Sequence, residues 1–128
     1  GSGILAIAAA KLGSNDVLAV DLDEVAVRVS KENIELNNVE DQVIAKHGNL
    51  MDIVTDKADI VVANIIADII KILAKDIKNF MKDDAVFISS GIIHAKVDEV
   101  KASLEENGLE IIYVQSLGEW NAIVSKCK

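Results

Sequence analysis

The sequence alternates between strand-like and helix-like spacing along most of its length, and this rhythm constrains its fold more than any other feature. Residues 4–12 read as a helix closed by Gly13, followed by a short β run at Val17–Asp21. Residues 24–37 read as a helix with Val25, Val29 and Leu36 along one side, and 42–47 as a strand ended by Gly48. The run at 58–63 (A-D-I-V-V-A) has the continuous apolar character of a strand buried on both faces. The spacing of Ile66, Ile69, Ile70, Leu73, Ile77 and Phe80 predicts one helix over 66–81. A strand at 85–89 and a helix at 95–107, built on Val97, Val100 and Leu104 with Gly108 as its cap, continue the alternation. The rhythm then breaks. Residues 109–115 and 120–125 are both β-like, and the link around Leu117-Gly118-Glu119 is too short for a parallel crossover, so this pair is an antiparallel hairpin. The expected fold is α/β: a Rossmann-like, doubly wound, mostly parallel sheet that finishes in a hairpin.

Length and composition agree with one globular domain. The chain has 128 residues, 51% hydrophobic and 27% charged, with no repeat or low-complexity tract. No apolar run approaches the roughly 20 residues that span a bilayer, and no basic-then-apolar signal peptide opens the sequence. A single cysteine, Cys127, forms no internal disulfide, which suits a reducing cytoplasm. The net charge of −8 argues against direct nucleic-acid binding. It suits a basic partner, although acidic domains are common without one. His47 and His94 are isolated and no Cys/His/Asp cluster has ligand spacing, so no metal is expected.

Gly1-Ser2-Gly3 leads straight into the first helix. In a nucleotide-binding α/β unit such a turn follows a strand, which here would precede residue 1. The expectation is therefore a domain over 1–128 that lacks its first strand. Gly1-Ser2 is also what a cloning scar leaves, but the spacing into Gly3 favours a true turn. Glycines there let backbone approach a ligand, and free N–H groups at the helix start suit an electronegative group.

Asp21 ends the second β run, twenty positions after Gly1. An acid at that strand end can accept hydrogen bonds from both ribose hydroxyls of a nucleoside; a helix N-cap is the plainer role, for which Asp23 also qualifies. Asn49, after Gly48, suits an adenine edge or simply a turn. Asn64 ends the fourth β run, where α/β sheets bind ligands, and also suits a helix N-cap. Trp120 in the last strand reads as packing.

These stretches together resemble the PrmA-type ribosomal-protein methyltransferases, a class I methyltransferase family. The similarity is carried by G-S-G-I-L-A-I-A-A-A-K-L-G from Gly1, A-V-D-L-D-E-V-A-V from Ala19 and H-G-N-L from His47. It continues in A-D-I-V-V-A-N-I-I-A from Ala58, F-I-S-S-G-I-I from Phe87 and the closing G-E-W-N-A-I-V. The resemblance implies S-adenosylmethionine bound by Gly1, Gly3 and Asp21, with Leu22 packing on adenine and Asn64 bordering the methyl-transfer site. It implies amino groups of a basic large-subunit ribosomal protein as acceptor, with the substrate-docking domain lying outside these residues. The family's usual N-I-L-A is here Asn64-Ile65-Ile66-Ala67.

Two other readings stay open on the residues. A methyltransferase could act on a small molecule or RNA instead. An NAD(P)-dependent Rossmann oxidoreductase also fits, because Gly1-Ser2-Gly3-Ile4-Leu5-Ala6 matches G-x-G-x-x-A and Asp21 stands where a ribose acid belongs. The missing strand carries one further expectation. In the family's strand order it lies between the strands ending at Asp21 and Asn64, so those two should not pair with each other.

Overall fold

The computed structural model describes residues 1–128, with the side chains of all but Leu50 and Met51. The chain divides into two compact units, residues 1–55 and 56–128.

In the first unit, helix α1 (Ile4–Lys11), strand β1 (Val17–Asp21), helix α2 (Glu24–Leu36), strand β2 (Val43–His47) and the short helix α3 (Leu50–Ile53) follow in order. β1 and β2 are parallel, in register from Val17 opposite Val43 to Asp21 opposite His47. Ile7 and Ala10 of α1, Val27 and Ile34 of α2, Val39, and Val43 and Ala45 of β2 form the core. Both long helices stop in the same way. After α1 the Ser14 N–H reaches the Ala9 carbonyl at 3.0 Å and Gly13 takes φ +114. After α2 the Val39 N–H reaches the Ile34 carbonyl at 3.2 Å and Asn38 takes φ +57. These are Schellman endings, and the left-handed residue is glycine in one and asparagine in the other.

The face of α2 differs from the expected one. Val25 and Leu36 are exposed, and Val27, Ser30 and Ile34 are buried instead. A small polar residue at position 30 hides this face from a hydropathy reading; its reason is the glycine turn described below.

The second unit holds strand β3 (Ala58–Asn64), helix α4 (Ala67–Leu73), a 3₁₀ turn (Ile77–Phe80), strand β4 (Met81–Ile93), a second 3₁₀ turn (His94–Lys96), helix α5 (Val97–Glu106), and strands β5 (Leu109–Leu117) and β6 (Trp120–Cys127). The sheet order is β3-β4-β6-β5, with β3 and β4 parallel and β6 antiparallel to both its neighbours. The hairpin is therefore present, with β6 inserted beside β4. Its two-residue link has positive φ only at Gly118, the pattern of a type II′ turn. Phe87, Ile92, Ile123 and Leu109 of the sheet are buried with Ile70, Ile77, Val100 and Leu104 from the segments covering it.

The single helix expected over 66–81 is broken into α4 and a 3₁₀ turn, and Met81 already belongs to β4. The buried positions Ala67, Ile70, Ala74, Ile77 and Phe80 still recur every three or four residues. A 3₁₀ segment, with three residues per turn, keeps the same side inward, so periodicity alone does not separate it from continued helix. Ile66 and Ile69, expected on the apolar face, are exposed.

β3 is also more open than its composition implied: Ile60 is 59% and Val62 44% exposed. The strand lies at an edge of its sheet, and its ladder runs only to β4, while that of β1 runs only to β2. β1 and β3 thus belong to separate sheets.

Candidate functional site

The first unit gathers three of the expected residues at the carboxyl end of β1. The glycine turn packs against the middle of α2, at Ser30 and Asn33. Ser30 Oγ donates to the Gly1 carbonyl at 2.9 Å, and Asn33 Nδ2 donates to the Ser2 carbonyl at 2.9 Å. Gly3 has φ +84, and a Cβ there would lie 3.1 Å from both Cβ and Oγ of Ser30. Only a residue without a side chain meets both conditions easily. Ser30 and Asn33 were not singled out in the sequence; their contacts with the turn span 29 and 31 positions and leave no local signal.

Asp21 reaches this turn from the strand end. Its Oδ2 accepts from the Gly1 nitrogen, and its Oδ1 accepts from the Asp23 N–H at 2.9 Å. The helix cap is Asp23, whose Oδ1 accepts from the Val25 N–H at 2.9 Å. The helix-cap role therefore falls to Asp23 and not to Asp21. Partial burial by itself raises the Asp21 pKa, while hydrogen bonds from the Gly1 nitrogen and from the Asp23 and Leu22 N–H groups lower it. Asp21 is thus a carboxylate at neutral pH.

Leu22, next along, is 72% exposed, an apolar surface beside that carboxylate. His47 Nε2 lies 2.9 Å from the Leu22 carbonyl, and the Gly48 N–H donates to the Asp21 carbonyl at 2.9 Å. These bonds tie the end of β2 to the segment carrying Asp21 and Leu22. Asn49 is exposed, and its carbonyl accepts from the Asp52 and Ile53 N–H groups of α3.

Asn64 belongs to the second unit. It ends β3 opposite Ser90 and lines a cavity of about 450 Å³ with Ser90, Gly91, Gln115, Leu117, Trp120, Asn121 and Ala122. None of these side chains carries a charge. Trp120, expected as packing, is 58% exposed and lines the cavity instead. A last strand that forms one wall of a cleft leaves its aromatic ring at the opening. Asn64 does not cap α4, whose N-cap is Ile66 with no side-chain bond. Among the described residues no group of three His, Cys, Asp or Glu is placed to hold a metal, and no helix is long and apolar enough to cross a membrane.

Parallel βα units leading into an antiparallel end, with an acid closing the first strand after a glycine turn, define a Rossmann-like methyltransferase fold. Solved structures agree. A ribosomal protein L11 methylase from Lactobacillus delbrueckii subsp. bulgaricus superposes with TM-score 0.95 at 34% identity, over 100% of this chain and 66% of that one. An RNA methyltransferase from Salinibacter ruber, solved with S-adenosyl-L-homocysteine, shares the fold at TM-score 0.76 and 15% identity, over 97% of this chain and 73% of that one. The family profile "Ribosomal protein L11 methyltransferase (PrmA)" matches residues 1–128, and the chain belongs to that family. Proteins named ribosomal protein L11 methyltransferase from Alkaliphilus metalliredigens and Clostridium perfringens are 59% and 56% identical across all of this chain. The chain spans 40% and 41% of their respective lengths.

Proposed function

We propose that residues 1–128 form the cofactor-binding domain of an S-adenosylmethionine-dependent protein methyltransferase that modifies amino groups, on lysine side chains or the N-terminus, of ribosomal protein L11. The observation that carries the reading is the Asp21 carboxylate joined to the glycine turn, in a chain that matches the family throughout. The residues fit the nucleoside part of this cofactor. Asp21 is ionised and partly exposed, so it has acceptor capacity for ribose hydroxyls. Leu22 offers an exposed apolar face for adenine, Asn49 an exposed amide for its edge, and a side chain at Gly1 would meet nothing within 4 Å.

When bound, S-adenosylmethionine supplies an electrophilic methyl group with a neutral thioether as leaving group. The protein's task is then to align a neutral amine and exclude water. A lysine amine is mostly protonated at neutral pH, with a pKa near 10.4. The lining of the cavity carries no carboxylate that would hold the ammonium form. Asn64 would accept a hydrogen bond from the amine through its amide oxygen without adding charge. The basic acceptor protein also suits the chain's net charge of −8.

The test uses the protein at its full native length. Calorimetry should show binding of S-adenosylhomocysteine and none of NAD, and mass spectrometry should show methylated ribosomal protein L11 after incubation with cofactor. Binding of NAD in place of S-adenosylhomocysteine would sink this reading in favour of the oxidoreductase. Cofactor binding with methylation of RNA or a small molecule alone would retain methyl transfer and replace the acceptor.

A further inference from the structure

We propose that Gly91 is a positioning residue that sets the orientation of the Asn64 amide, and that Asn121 locks the strand distortion on which this depends. Only the catalytic consequence rests on the methyl-transfer reading above.

Asn64 pairs with Ser90 on β4, and the next residue, Gly91, has φ +76. The register between β4 and β6 shifts between Ser89 and Ile92, so Ser90 and Gly91 form a bulge. The Asn64 side chain occupies the room this makes. A Cβ on residue 91 would overlap Asn64 Oδ1 and lie 3.4 Å from the Ile65 carbonyl oxygen. Glycine is favoured there by its backbone conformation, and a side chain at this position would push the Asn64 amide aside. An amide seated against bare backbone has one side closed to it, which restricts its orientation within the cavity.

The bulge is fixed from its other flank. Asn121 is buried, and its Nδ2 donates to the carbonyl of Ile92 at 3.2 Å and to that of Glu119 at 3.1 Å. Its Oδ1 accepts from the Ser116 hydroxyl. Ile92 directly follows Gly91, so the one side chain of Asn121 ties the strand leaving the bulge to both arms of the hairpin. A buried amide with donors and acceptor all engaged is a rigid clamp.

The experiment compares Gly91→Ala and Asn121→Ser, each alone and with Asn64→Ala, in the full-length protein. Gly91→Ala should lower kcat on the order of 10- to 100-fold, the scale of a small misplacement near a reacting group. Asn121→Ser should lower it less, and the KM for S-adenosylmethionine should hold within about twofold in both, since the loss lies in the reacting state. In the Asn64→Ala background neither substitution should lower kcat further, because both act through that amide. Both single variants should also displace the Asn64 side-chain amide resonances in NMR. Equal losses of kcat with and without Asn64, or unmoved Asn64 resonances, would overturn the proposal. If Gly91→Ala does not fold, Asn121→Ser decides alone, since it keeps glycine at position 91. If the unsubstituted protein transfers no methyl group, the functional reading fails by itself, and the amide resonances still judge the seat.

Discussion

Substituting Gly3 by alanine probes the contact that joins the glycine turn to α2. Two effects add. The left-handed backbone at φ +84 costs a residue with a Cβ roughly 1–2 kcal/mol. The new methyl group would stand 3.1 Å from Cβ and Oγ and 3.3 Å from Cα of Ser30. Ser30 lies within a thirteen-residue helix and is buried, so its backbone cannot withdraw freely; crowding of this kind costs about 1–3 kcal/mol. The total is roughly 2–5 kcal/mol, against a domain stability of about 5–15 kcal/mol. Gly13→Ala is the natural comparison, because Gly13 also has positive φ, +114, yet a Cβ there meets nothing within 4 Å. It should carry the backbone cost without the crowding. Urea denaturation monitored by circular dichroism measures both, and Gly3→Ala should have the lower midpoint with an unchanged slope. Hydrogen exchange should locate the loss at the turn and the start of α1. Equal midpoints for the two variants would refute the crowding argument, and with it the packing of Gly3 against Ser30 as the reason for glycine there.

Asp21→Ala should weaken S-adenosylhomocysteine binding by about 1–3 kcal/mol, roughly 5- to 150-fold in Kd, through lost bonds to two ribose hydroxyls; unchanged affinity by calorimetry would remove Asp21 from the site. Asn64→Ala should lower kcat far more than cofactor affinity, and collapse of cofactor binding with turnover preserved at saturation would make Asn64 a cofactor ligand only.

The alternation of short apolar runs with helical spacing was enough to find every strand, because most runs are bounded by residues whose backbone preference is strong, although β4 runs from Met81 to Ile93 where only 85–89 was expected. Gly13, Gly108 and Gly118 all mark ends or turns, and all have positive φ. The closing hairpin followed from chain length alone: two residues cannot cross a sheet. The glycine turn and Asp21 were also legible, since their spacing reflects one βα unit returning to the same end of a strand.

Other features depend on packing partners far apart in sequence. Ser30 and Asn33 gain their role only when α2 meets the turn, and no local signal separates them from solvent-facing polar residues. Which of Asp21 and Asp23 caps α2 is decided by the path of the backbone. The break after Leu73 leaves the apolar period intact, so only hydrogen bonding reveals it. Asn121 reads as an ordinary strand residue until Ile92, twenty-nine positions earlier, presents its carbonyl. Sequence records what each residue prefers within a few neighbours. Which preferences meet across the sheet is decided by the register of β4 against β3 and β6, where one bulge at Ser90 and Gly91 sets what can stand beside Asn64.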